Sequence, residues 1–142
     1  MVFNDIKNIL SEAKKLEAKG IVTTEKDAVK IKALLDKNSE IGFYAFDGCE
    51  LLTSIKFHPN VTNISSGAFA NCKGLKSFDW PDSVTDICNL VFEDCINLKS
   101  IRVPKSVVEI GEQAFYGCSN LTDIIIASDN PQFSSVDGVV YN

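Results

Sequence analysis

A 23-residue periodicity constrains this chain of 142 residues more than any other feature. Ala45-Phe46, Ala68-Phe69, Val91-Phe92 and Ala114-Phe115 recur at that step, as do Cys49, Cys72, Cys95 and Cys118. Leu52, Leu75, Leu98 and Leu121 keep the register. So do Ile55, Phe78, Ile101 and Ile124, then Phe57, Trp80, Val103 and Ile126. Val61, Val84 and Val107, followed by Ile64, Ile87 and Ile110, complete the unit. A fixed period of this length marks a repeat architecture. One unit cannot bury its apolar side alone, whereas stacked units bury it against each other, which predicts a solenoid.

Within each unit the L-x-x-I-x-φ portion, where φ is a large apolar residue, alternates as a short strand does. Stacked copies of it predict a parallel ladder with strands ~4.8 Å apart. The A-F-x-x-C-x-x-L portion has three- and four-residue apolar spacing, which suits one helical or 3₁₀ turn. Pro81 and Pro104 follow the strand and end its pairing, because proline lacks an N–H. This pattern, A-F-x-x-C-x-x-L-x-x-I-x-φ-P-x-x-V-x-x-I, resembles the BspA-like leucine-rich repeat family over about residues 41–126. The tail from Asn130 to Tyr141 is similar to a variant unit of that family. His58 stands where later units have Pro, and Val91 replaces Ala. The resemblance implies an α/β fold: a leucine-rich-repeat solenoid, a right-handed β-α superhelix with a parallel strand ladder. It also implies protein binding and, for bacterial or protist surface proteins, adhesion or host binding.

Composition divides the chain near Ser39–Ile41. Residues 1–40 hold 8 Lys against 7 Asp+Glu, and residues 41–142 hold 6 Lys+Arg against 12 Asp+Glu, so +1 and −6 make the net −5. All five Cys, all four Pro and the single Trp and His lie beyond residue 40. In the first part Val2, Phe3, Ile6, Ile9, Leu10, Ala13 and Leu16 follow helical spacing up to Gly20. Thr24 with Asp27 resembles a capping box, and Ala28, Ile31, Leu34 and Leu35 form a second apolar side. The expectation is two domains: residues 1–40 as an N-terminal helical cap and residues 41–142 as the repeats. Gly20-Ile21-Val22-Thr23-Thr24-Glu25-Lys26-Asp27-Ala28-Val29-Lys30, within about residues 4–36, also resembles a segment of tetraacyldisaccharide 4′-kinases. The chain has no G-x-x-x-x-G-K-[ST] turn to cradle phosphates, so kinase activity does not follow.

The chemical candidates read as structural. Cysteines at a 23-residue step lie in a row instead of converging on a tetrahedral metal, and they read as small buried hydrophobes. Cys88 falls outside that column and is expected to be the most exposed thiol. His58 is the only histidine, and nothing in the pattern gives it a nucleophile or an orienting partner. Trp80 shares a core column with Phe57. Asp82, Asp86, Glu93, Asp94, Glu109 and Glu112 fall between core columns as a solvated acidic surface. Asp129, Asn130 and Asp137 lack the spacing of a calcium loop. We therefore expect no catalytic residue, no cofactor and no metal. A pI near 4.8 argues against nucleic-acid binding. Apolar runs are too short for membrane insertion, and the residues after Met1 do not read as a secretory signal.

What remains is surface. Between the core positions of each strand, Ser54, Ser77, Ser100 and Asp123 form one outward column, and Lys56, Asp79, Arg102 and Ile125 a second. His58 lies at the rim of the same side. Alternating charge up the second column predicts ion pairing between neighbours ~5 Å apart. Together these residues are the candidate partner-binding face of a non-catalytic interaction module with an unidentified protein partner. The alternatives are a structural spacer or accessory domain of a larger protein, or a fragment related to the lipid A kinase. The family resemblance implies that the D-G-V-φ-Y segment continues toward a following strand, so the last repeat is expected to leave an open edge, from either a shortened chain or self-association through the C-terminal repeat. The sequence assigns no compartment; a cell-surface or secreted location is implied by resemblance alone.

Overall fold

The computed structural model describes residues 40–55, 57, 59 and 61–142. Eight short strands follow in order: β1 Glu40–Ile41, β2 Asn63–Ile64, β3 Asp86–Ile87, β4 Ser100–Val103, β5 Glu109–Ile110, β6 Asp123–Ile126, β7 Ser134–Val136 and β8 Val139–Tyr141. β1 pairs with β2, β3 with β5 and β4 with β6, all parallel. Each pair is offset by one repeat, as in Glu40↔Asn63 and Ser100↔Asp123. The expected parallel ladder is therefore present. We number the coils 1 to 4 over residues 41–63, 64–86, 87–109 and 110–132. The V-x-x-I stretch adds a second row of strands, β1, β2, β3 and β5, that the alternation argument did not foresee.

Among the described residues there is no helix. The A-F-x-x-C-x-x-L segment forms single turns closed by i→i−3 bonds of the 3₁₀ kind, one of the two expected forms, but no continuous helix, and its hydrogen bonds explain why. Ala45, Asp47 and Cys49 donate to carbonyls three residues back within coil 1. The alternate N–H groups of Tyr44, Phe46 and Gly48 donate to Ser66, Ala68 and Ala70 of coil 2, at 3.3, 2.8 and 2.9 Å. Gly67, Phe69 and Asn71 bond coil 3 in the same way, and Leu90, Phe92 and Asp94 bond coil 4. A helix would direct every N–H along its own axis. Here half of them run up the stack, so local turns and inter-coil ladder form together. That alternation needs left-handed backbone at two places per coil. Tyr44, Gly67, Leu90 and Gln113 occupy the first, with φ from 50° to 65°, and Gly48, Asn71, Asp94 and Gly117 the second, with φ from 54° to 73°. Only some of these positions are glycine, so the coil geometry holds side chains in a conformation that costs roughly 1–2 kcal/mol each.

The repeat columns meet inside. Phe46, Phe69, Phe92 and Phe115 stack along the axis with ring centroids 5.0, 6.1 and 5.8 Å apart. Phe78 and Trp80 approach this column edge-on from the strand side, at 4.6 and 5.5 Å from Phe92. Burial is complete in the middle coils and partial at both ends. Cys72, Cys95, Leu75 and Leu98 are fully buried, while Cys49, Cys118, Leu52 and Leu121 remain partly exposed. Trp80 is core, as its register predicts.

At the C-terminus β7 and β8 pair antiparallel, Val136 opposite Val139. Asp137 and Gly138 both have positive φ, 51° and 78°, the requirement of a tight type I′ hairpin turn. Ser135 Oγ accepts from Ile126 N–H at 3.1 Å, Gly138 lies close to Thr122 O, and Val140 and Phe133 pack on the core. The hairpin thus lies against β6, and the D-G-V-V-Y tail folds back where the sequence suggested a continuing strand. The predicted helical cap lies outside the described residues.

Two substitutions test this account by thermal or urea unfolding. Phe92→Ala should cost about 3–5 kcal/mol, because it opens a cavity between two stacked rings. Gln113→Gly should be neutral or stabilising by up to ~1 kcal/mol, where glycine in an ordinary helical turn would destabilise by about that amount.

Candidate interaction surface

On the strand side the backbone alternates residues in and out. β4 reads exposed, buried, exposed, buried over Ser100, Ile101, Arg102 and Val103. Of the predicted outward residues, Ser54, Ser77, Asp79, Ser100, Arg102, Asp123 and Ile125 are all exposed. They share one face: Asp79 bridges Arg102, Ser100 stands opposite Asp123 and Arg102 opposite Ile125. Ile125 presents 49% of its surface to solvent. Lys56 and His58 lie outside the described residues, so the column is traced from Asp79 upward.

The expected charge pairing is absent at the one step that can be seen. Asp79 and Arg102 stand opposite each other in register, yet their charged groups form no ion pair. Ion pairs among the described residues lie on other faces. Lys73 Nζ meets Glu50 Oε1 at 2.8 Å across one repeat, and Lys105 Nζ lies 3.7 Å from Asp129 Oδ2. Lys73 holds the Glu50 carboxyl below its ordinary pKa through hydrogen bond and charge.

Cohesion on the other faces comes from side chains that cap the carbonyls of the coil below. Asn97 Nδ2 donates to Lys73 O and Asn120 Nδ2 to Ile96 O, both at 2.6 Å. Ser83 Oγ donates to Val61 O and to Pro59 O, and Asn130 Nδ2 to Pro104 O and Val107 O at 3.0 and 2.8 Å. Asn130 is thus a structural clamp. The short second strand row carries an outward column that sequence reading did not single out: Glu40, Asn63, Asp86 and Glu109, all exposed. Its signal was available as the residue before Ile41, Ile64, Ile87 and Ile110.

The cysteine column is more than filler. Cys72 Sγ donates to Phe46 O at 3.1 Å, Cys95 Sγ to Phe69 O at 3.1 Å and Cys118 Sγ to Phe92 O at 3.0 Å. None of the five cysteines forms a disulfide. Burial pushes the Cys95 thiol up to about 12 and Cys118 up to about 11, and Cys72 higher still. Cys88 is half-buried, as Cys49 and Cys118 are, so it does not stand out as the exposed thiol expected from the sequence, and burial raises its pKa too. Among the described residues no group of three or more His, Cys, Asp or Glu side chains could hold a metal ion, and no helix is long and apolar enough to cross a membrane.

Parallel coils of this period, with a leucine column inside and a strand row on one side, define a leucine-rich-repeat solenoid. The chain belongs to the BspA type leucine rich repeat region family, whose model matches residues 26–136 with six copies of its unit. It is similar to the solved leucine-rich repeat protein from Bacteroides ovatus, with 36% identity, TM-score 0.59, and 61% of this chain against 23% of that one. The leucine-rich repeat protein of Eubacterium ventriosum shares 29% identity with TM-score 0.58, over 72% of this chain and 33% of its own. The T. pallidum leucine-rich repeat protein shares 27% identity with TM-score 0.51, over 60% and 50%. The chain therefore spans between 23% and 50% of the length of these solved proteins. No curated protein matches it. The kinase-like stretch lies outside the described residues.

The thiol gradient gives a directional expectation. An unfolded thiol loses its proton near 9.0, whereas Cys118 and Cys95 keep theirs to about 11 and about 12. Between these values the unfolded state binds fewer protons, so stability falls as pH rises above ~9. Melting temperature against pH should show this fall, reduced in a Cys95→Ala variant. Thiol labelling of the native protein should reach Cys118 before Cys95 and Cys72.

Proposed function

We propose that this chain is a non-catalytic protein-binding module and that a partner protein covers the strand face at Ser77, Asp79, Ser100, Arg102, Asp123 and Ile125, with Ser54 at its edge. By sequence register alone, Lys56 belongs to the column of Asp79 and Arg102, and His58 follows two residues later. The observation that carries the reading is the Asp79–Arg102 step. Two opposite charges stand in register without closing on each other, within a row of small serines and beside an exposed Ile125. An exposed pair would add at most about 1 kcal/mol to the scaffold, so leaving these charges open costs the fold little and keeps them available to a partner of complementary charge. Membership of a leucine-rich-repeat family supports the same reading. Display on a bacterial surface, with an adhesive or host-binding role, is the biological setting we attach to it, on the family resemblance.

The test separates binding from scaffolding. A photo-crosslinking residue at Ser100 should capture a protein partner, and one at Glu112 on the turn side should not. Asp79→Lys and Arg102→Glu should abolish that capture while changing unfolding stability by less than ~0.5 kcal/mol. Reversals that lower stability and leave capture intact would mean that the columns only hold the repeats in register, as in a spacer.

A further inference from the structure

Residues 41–142 hold six Lys and Arg among twelve Asp and Glu. Lys73 pairs with Glu50 and Lys105 with Asp129, and Lys56 lies outside the described residues. The other three, Lys76, Lys99 and Arg102, are exposed and form no ion pair among the described residues. They do not scatter. Lys76 and Lys99 hold the same place on neighbouring coils, directly before Ser77 and Ser100 of the outward column. The ladder already runs through them: Lys76 N–H donates to Thr53 O, and Lys99 O accepts from Thr122 N–H, both at 3.0 Å. The two lysines therefore start about 5 Å apart. Like charges at that spacing repel, and an anion between them reverses the cost. Arg102 follows on the same coil, three residues or roughly 10 Å beyond Lys99.

The surroundings narrow the kind of anion. Asp79 stands opposite Arg102 on coil 2, and Asp123 opposite Ser100 on coil 4. A uniform polyanion laid across these coils would meet both carboxylates. Ile125, opposite Arg102 on coil 4 and half exposed, offers an apolar contact beside the guanidinium. Only a polypeptide can place single acids, a donor and an apolar side chain to match such a mixed surface. Building on the protein-binding role of the strand face, on which this depends, we propose that the partner segment that covers it is acidic. One carboxylate of the segment bridges Lys76 and Lys99, where the hydroxyls of Ser77 and Ser100 can donate to it as well. A second carboxylate takes Arg102, a large apolar residue rests on Ile125, and a donor meets Asp79 and fixes the register.

Selection by the full chain from a displayed library of random 12-residue peptides tests this, with heparin as a separate polyanionic probe. Recovered peptides should carry at least two Asp or Glu and one large apolar residue. Lys76→Glu, Lys99→Glu and Arg102→Glu should each weaken a recovered peptide about three- to tenfold, and Ile125→Ser about threefold. At 1 M salt, where screening acts within about 3 Å, the charge variants should lose their effect while Ile125→Ser keeps its own. All four positions are exposed, so melting temperature should hold, and Lys99→Gln repeats the direction at smaller size if a reversal disturbs the coil. Neutral or basic peptides that shift the Ser100 and Arg102 amides overturn the acidic partner and leave the face a protein-binding surface. Heparin that binds as tightly as the peptides and ignores Ile125→Ser overturns it in favour of a polyanion. Failure to recover any peptide on this face overturns it too, and capture at Ser100 then decides whether protein binding falls with it.

Discussion

The structure depends on backbone hydrogen bonds that join one coil to the next on the turn side. In each of coils 1 to 3, three N–H groups reach the carbonyls of the coil above, and the N–H groups between them close turns within the coil. Each coil is therefore incomplete until its neighbour is in place. The fold extends by adding interfaces of one kind, so its cohesion is a sum over neighbours. The strand side is secondary in this respect. Among the described residues four-residue strands occur only at β4 and β6, and next to them the ladder narrows to the Asp79–Arg102 bridge.

The ladder also sets what the core must be. Coils linked at fixed register bring like positions together, so a phenylalanine meets a phenylalanine and a cysteine lies beside a cysteine. Cysteine suits its column for two reasons. It is small enough to fit beside the stacked rings, and its thiol donates to the phenylalanine carbonyl of the coil below. Alanine would fill a similar space without that bond. The same register decides the surface. Each side chain has its counterpart one coil away, which produced the Lys73–Glu50 pair on one face and the open Asp79–Arg102 step on another.

Much of this was legible in the sequence because a strict period turns identity of residues into identity of place. The repeat, the core columns, the parallel ladder and the exposure of Ser77, Asp79, Ser100, Arg102 and Ile125 all follow from counting by 23. Three features did not. Phe-x-x-Cys-x-x-Leu has helical spacing, but spacing cannot reveal that alternate N–H groups leave the turn for the next coil. The left-handed positions at Tyr44, Leu90 and Gln113 carry no glycine, so composition concealed them. The Asp137-Gly138 turn is a strong local hairpin signal that the resemblance to a continuing repeat overrode. Charge pairing at Asp79 and Arg102 was expected from proximity alone, and side-chain geometry is beyond what register specifies.

Native-state hydrogen exchange reads the central claim most directly, because it ranks individual amides by the opening that exposes them. The account predicts that the inter-coil donors Phe69, Asn71, Phe92 and Asp94 exchange only through global unfolding, more slowly than the strand amides of Ile101 and Ile124. If those turn-side amides exchange rapidly while the β4 and β6 amides stay protected, the strand ladder holds the molecule together and the account is wrong.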